Sequence, residues 1–128
     1  MVRLPAVLLL LSACGLPPTL SSIQDAVFTP SCATNGCHDS KTAIGALDLE
    51  KGKSFGQLVN QPAQNVGAQD DQLLRVKPGD PDHSFLVLKI EPHLPVSDGV
   101  PMPNGKKPLS QEEIDAIAQW VRDGAKND

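Results

Sequence analysis

The stretch SCATNGCHDS, Ser31 to Ser40, sets Cys32, Cys37 and His38 within a few residues of one another. Two thiols and an imidazole this close serve one of three ends. They attach a haem covalently, they coordinate zinc, or the cysteines pair as a disulfide and leave the histidine idle. Haem attachment bonds both sulfurs to the macrocycle and uses the adjacent histidine to ligate iron, ordinarily in the spacing C-x-x-C-H. Here four residues, Ala33 to Gly36, separate the cysteines. Asn35-Gly36 suits a positive-φ turn, so the extra residues can bulge outward while both sulfurs keep their reach. Zinc would need a fourth ligand from His83 or His93, and the neighbours Cys37 and His38 would both have to turn toward one ion.

Which cysteine chemistry is open depends on where the chain goes. The N-terminus reads MVRLPAVLLLLSACG: one charge at Arg3, the apolar run Ala6 to Leu11, then the small residues Ser12 and Ala13 before Cys14. That layout is an export signal. The apolar block is far shorter than the roughly 20 residues that span a bilayer as a helix. Leu11-Ser12-Ala13-Cys14 resembles a bacterial lipobox, which implies cleavage after residue 13 and a lipid on the Cys14 thiol. Residues 1–13 are then the signal peptide, 14–21 a lipidated linker and 22–128 a single small domain. Gly15 rather than Asp after the lipidated cysteine points, by the rule for Gram-negative lipoproteins, to the outer membrane. With Cys14 lipidated, only Cys32 and Cys37 remain of the chain's three cysteines.

Composition sharpens the picture. Loss of Arg3 with the leader takes the net charge from −4 to −5, and no basic run exists, which argues against nucleic-acid binding. One Trp, three Phe and no Tyr leave little aromatic bulk for a core, while twelve Pro and ten Gly imply much irregular backbone. A small domain of this kind needs a staple, whether disulfide, metal or large cofactor.

Helical patterns bracket the cluster. Upstream, Ser21 or Ser22 is the expected N-cap of a helix with Ile23, Ala26 and Val27 on one face, ending at Phe28 ahead of Thr29-Pro30. At the C-terminus, Ser110 and Glu113 form a capping box, Ile114, Ile117, Ala118 and Val121 repeat at helical spacing with Trp120 beside them, and Gly124 supplies the stop. Between these, a short helix is expected around Phe55–Val59, a polar loop over 63–72, and a brief extended segment at Arg75–Lys77. A further helix is capped by Asp80, with Pro81 in its first turn, and runs on through Ser84 to Ile90.

VSDGVPMPNGKKP supplies what a haem would require downstream, a second axial ligand. Met102 sits between Pro101 and Pro103, which limit the entropy lost in fixing its thioether, a soft ligand for haem iron. His93 is the alternative, followed by His83. A methionine filling a core gap is the ordinary case, but a polar, proline-rich loop is an unusual place for one.

The helix before the cluster, CATNGCH, GALDLE, VKPGDPDHSFLVLKI, VPMPNG and SQEEIDAIAQWVRDGA together resemble the small c-type cytochrome domains of bacterial lipoproteins and larger exported proteins, several of which share the long cysteine spacing. The resemblance covers about Ile23 to Ala125. It implies an all-α, cytochrome c-like fold with terminal helices packed around one covalently bound haem c. Cys32 and Cys37 would carry the thioethers, His38 the proximal iron bond and Met102 the distal one. It further implies an exported, membrane-anchored one-electron carrier on the periplasmic face that serves redox partner proteins. No catalytic residue is expected, because both axial positions would be filled and no second haem motif exists.

The remaining polar residues read as structural. His83 is expected in the first turn of a helix facing water, and His93 in an exposed loop between Pro92 and Pro95. Asp80 and Asp82 fit a cap and a first-turn acid better than a calcium site. Lys106-Lys107 is either part of a docking face or an ordinary solvated loop. The competing function is a non-enzymatic lipoprotein module, stapled by a Cys32–Cys37 disulfide and carrying no haem.

Overall fold

The computed structural model describes residues 15–128. The leader 1–13 and Cys14 lie outside the described residues. The fold is a small, mostly helical domain without β-strands among those residues, and its N- and C-terminal helices contact each other.

Helix α1 (Leu20–Ile23) starts earlier than the serines suggest. Thr19, in extended conformation, is the N-cap, and its Oγ1 accepts a hydrogen bond from the Ser22 N–H at 3.3 Å. Nor does the winding stop at Phe28. It widens into a π-helical stretch, Gln24–Cys32, which contains Pro30 and ends on the first cysteine of the cluster. Proline's ring collides with the carbonyl four residues back in an α-helix, and a wider turn relieves that collision. The Ala33 N–H accordingly reaches back five residues to the Phe28 carbonyl at 2.7 Å. Widening also moves the inward stripe: Ile23, Gln24, Val27 and Phe28 are buried, whereas Ala26, expected inside, is exposed.

The buried amide of Gln24 is fully used. Its Nε2 donates to the Leu49 carbonyl at 2.8 Å and to Thr29 Oγ1 at 3.0 Å, and its Oε1 accepts from Ser54 Oγ at the start of α2 (Ser54–Leu58). Leu49 N–H in turn donates to the His38 carbonyl at 2.9 Å, so this polar knot also braces the cysteine cluster.

The expected loop over 63–72 contains a helix. In α3 (Val66–Asp70), Asn65 is the N-cap, accepting from the Gly67 N–H at 2.9 Å, and Ala68 is fully buried. Periodicity missed it because one apolar contact suffices to seat so short a segment.

The segment expected to run as one helix after Asp80 is two. A 3₁₀ turn (Pro81–His83) is followed by extended Ser84 and then α4 (Phe85–Ile90). The break arises because Ser84 pairs sideways. Its Oγ accepts from the Lys77 N–H at 2.8 Å and donates to the Asp80 carbonyl at 2.8 Å, while Phe85 and Leu86 N–H donate to the Leu74 and Arg75 carbonyls, each at 2.9 Å. Local side-chain bonding of this kind competes with helix propagation. Leu74 and Val76 make isolated bridges to Ser84 and Val59, so the brief extended segment is present without forming a sheet.

Helix α5 (Gln111–Arg122) carries both halves of the Ser110/Glu113 capping box. It ends at Gly124, whose φ of +109° a side chain would resist. Trp120 lies in the core rather than beside the stripe. It is 1% exposed, and its indole N–H donates to the Lys126 carbonyl at 2.8 Å. With Ile117, Val121, Ile23, Val27 and Phe28 it forms the centre where the first and last helices of the described residues meet. Burying each large side chain contributes about 1.5–3 kcal/mol.

The seam between the ends extends past the helices. Asp128 accepts from Leu20 N–H through its side chain and from Ser21 N–H through its backbone, both at 2.9 Å, and Leu16 N–H donates to Glu112 at 2.7 Å. Within 14–21, expected as a linker, Leu16, Leu20 and Ser21 make these bonds and Leu20 is buried, while Pro17 and Pro18 are exposed. No helix among the described residues is long and apolar enough to cross a membrane.

Candidate functional site

Cys32, delivered by the π-helical stretch, opens a turn that closes on itself. Cys37 N–H donates to the Thr34 carbonyl at 3.0 Å and His38 N–H to the Cys32 carbonyl at 3.1 Å. Gly36, at φ +84°, permits the reversal, and Asn35 and Gly36 point to solvent. The extra residues between the cysteines therefore bulge outward and return His38 to the first cysteine. Both thiols are free, partly buried side chains. Burial pushes the Cys32 thiol up to about 11, against an opposing pull from the Lys106 charge.

His38 is oriented by a backbone carbonyl. Its Nδ1 lies 3.0 Å from the Ile44 oxygen, and a carbonyl only accepts, so Nδ1 carries the proton. Neutral imidazole then leaves Nε2 with a free lone pair. Hydrogen bonding at one ring nitrogen is how proteins prepare the other for a metal. The Ile44 carbonyl is itself in a 3₁₀ turn (Ile44–Ala46) held to the cluster by an Ile44 N–H bond to the Cys37 carbonyl at 3.0 Å.

Two adjoining cavities open beside this turn, of about 310 and 360 Å³. Each is within the roughly 300–1,000 Å³ of small-molecule sites. Cys32, His38, Ile44 and Met102 line both, and Cys37 lines the second. Leu47, Leu49, Leu58 and Ile90 make much of the first wall apolar. Met102 is partly buried, and its N–H is anchored to the Lys89 carbonyl at 2.8 Å. The structure thus gathers Cys32, Cys37, His38 and Met102 around one space. His93 and His83 are exposed, and the ring of His83 turns to Asp80 at 2.9 Å, depressing that carboxyl's pKa.

Among the described residues, no three His, Cys, Asp or Glu side chains converge as a metal-binding group. The donors are spread around an apolar volume instead. Two thiols, one prepared imidazole and one thioether suit an amphipathic macrocycle bound at its edge and at a central iron.

Polar residues also reach this space, and the sequence reading passed over them. Arg75 donates to the Gln57 and Gly45 carbonyls at 2.9 Å each and to Ala46 at 3.2 Å, pinning the loop that holds Ile44; its burial lowers its pKa. Lys89 and Asn65 line the same cavity. Burial lowers the Lys89 pKa, with Asp98 opposing. A charge flanked by apolar residues, as in LRV and LKI, was the available signal. Lys106 belongs to the cluster's frame as well, donating to Thr34 Oγ1 at 2.6 Å, although both it and Lys107 are exposed.

No protein-family model, curated protein or solved structure matches the chain. A functional assignment therefore rests on the residues and their geometry.

Proposed function

We propose that the protein is a lipid-anchored mono-haem c-type cytochrome, exported to the periplasmic face of a membrane and passing one electron at a time between protein partners. The observation that carries this reading is the gathering of His38, its Nδ1 held by the Ile44 carbonyl, with two free thiols and Met102 around one cavity. The mostly helical architecture with its terminal helices in contact is compatible with a cytochrome c-like fold.

On this reading Cys32 and Cys37 would hold one haem c by thioether bonds, and His38 and Met102 would be the protein ligands to its iron. Bound there, the haem supplies reversible one-electron chemistry at iron, with a thioether–imidazole pair favouring a raised potential. The chain's own part is to hold and insulate. Ile44 keeps the imidazole in one tautomer, Arg75 fixes the loop bearing Ile44, Pro101 and Pro103 restrict the thioether, and Leu47, Leu49 and Leu58 exclude water. With His38 and Met102 both holding the iron, no position would be left for substrate, which would make the protein a carrier rather than an enzyme. Its acidity favours protein partners over nucleic acid. The lipid at Cys14 would keep it at the membrane, and Gly15 favours the outer one.

A spectroscopic redox titration of the exported protein tests the reading. A single one-electron transition is expected, moving to lower potential in Met102→Ala while the haem stays attached. The absence of any such transition would refute the carrier role, and a transition indifferent to Met102 would refute the distal assignment.

A further inference from the structure

Lys89 is the only charged residue of α4, FLVLKI, and it does not extend into water as a surface lysine would. Its Nζ donates to the Asp98 carbonyl at 2.7 Å, within a 3₁₀ turn, Val96–Asp98. Its own backbone carbonyl accepts from the Met102 N–H at 2.8 Å. One residue therefore grips the segment leading to Met102 at two points. The segment's other hold is the packing of Ser97 and Asp98 against Gly67 in α3, while His93 and Pro95 to Ser97 are exposed.

The surroundings are built to keep Nζ in place. Asp98 is 6% exposed, and its charge opposes the lowering of the Lys89 pKa by burial. Gly99, at φ +85°, leaves room that a side chain would remove, for a Cβ there would lie 3.0 Å from Nζ. The Phe85 ring covers another side, its centroid 5.6 Å from Nζ. Asn65, Lys89 and Met102 line the same cavity, so what fixes this segment also fixes the wall that presents the thioether.

We propose that Lys89 is a positioning residue for Met102, strapping the segment between α4 and Met102 to the domain through the Asp98 carbonyl. The importance of the thioether rests on the cytochrome reading; the strap itself does not. In Lys89→Met the apolar stem and the backbone carbonyl remain, while the Nζ bond is lost together with the positive charge beside Phe85 and Asp98.

The test is residue-level amide exchange by NMR on the full exported chain, in the reduced state. In Lys89→Met the Met102 amide should exchange at least tenfold faster, with Ile117 and Val121 in α5 unchanged, and Lys89→Arg should restore much of the protection. Unchanged Met102 exchange would overturn the strap. If Lys89→Met instead loosens every amide, the unmodified chain decides. A slowly exchanging, hydrogen-bonded Lys89 ammonium supports the proposal, and a freely exchanging one overturns it. In haem-bearing protein, Lys89→Leu, which brings no second thioether to the cavity, should also lower the fraction of thioether-ligated iron seen by absorption. If no haem is present, the cytochrome reading fails, while the exchange result still judges the strap.

Discussion

Gly67→Ala sets two opposing effects against each other at the place where α3 meets the 3₁₀ turn Val96–Asp98. Gly67 is helical, so alanine there would ordinarily gain about 1 kcal/mol of helix propensity. The new Cβ, however, would lie 2.5 Å from Asp98 Oδ1, 2.6 Å from the Ser97 carbonyl oxygen and 3.0 Å from the Ser97 carbonyl carbon. Two of these atoms are backbone, in a turn held by the Asp98 N–H to Pro95 and by Lys89 Nζ, so the crowding cannot be relieved by a rotamer change. Overpacking of this kind costs about 1–3 kcal/mol, and contacts this short belong in the upper part of that range. The net expectation is a destabilisation of about 1–2 kcal/mol, after the propensity gain is deducted. Gly56→Ala is the control. It is also helical, and a Cβ there meets nothing within 4 Å, so it should stabilise by about 0.4–1 kcal/mol. Urea unfolding of the two variants should therefore differ by about 2 kcal/mol in opposite directions from wild type, or about 8 °C between thermal midpoints for a domain of this size. A Gly67→Ala midpoint at or above wild type would refute the close packing on which the Met102 segment rests.

Three further outcomes are expected. Gln24→Leu removes the Leu49, Thr29 and Ser54 hydrogen bonds from a buried site and should cost about 1–3 kcal/mol, checked by urea unfolding. In chain lacking haem, Cys32 should alkylate slowly near neutrality. A thiol is reactive when deprotonated, and a value of about 11 leaves about one in a thousand as thiolate at pH 8, rising tenfold per pH unit until the pH approaches 11; a rate already level above pH 9, followed by peptide mass spectrometry, would contradict the burial. Cys14→Ser should shift the exported protein from the membrane fraction to the soluble one without changing its spectrum, and retention in the membrane fraction would rule out the lipid anchor.

What the sequence disclosed follows physical lines. The Ser110/Glu113 box, the stripe from Ile114 to Val121 and the Gly124 stop are local signals, and α5 forms as they direct. The first helix was harder, because Pro30 reads as a terminator and a widened helix that accommodates it has no recognisable periodicity. Ser84 breaks the helix after Asp80 through partners at Lys77 and Asp80, and the Lys77 bond comes from a segment whose fold position the sequence does not reveal. The donors around the cavity were recognisable from residue type and spacing. Their framing was not, since Ile44 bonds His38, and Lys89 bonds Met102, through backbone carbonyls that look alike in every residue. Arg75 likewise acts through the Gln57, Gly45 and Ala46 carbonyls, which are distant or unremarkable in sequence.

The most direct measurement is a pyridine haemochrome spectrum, with intact mass, of protein exported in a host that attaches haem c, taken after acidic organic solvent has stripped any loosely held haem. Retention of one haem with both Cys32 and Cys37 consumed is the predicted result. A haem-free chain with Cys32 and Cys37 joined as a disulfide, or left as thiols, would contradict it and favour a lipoprotein that acts by contact alone.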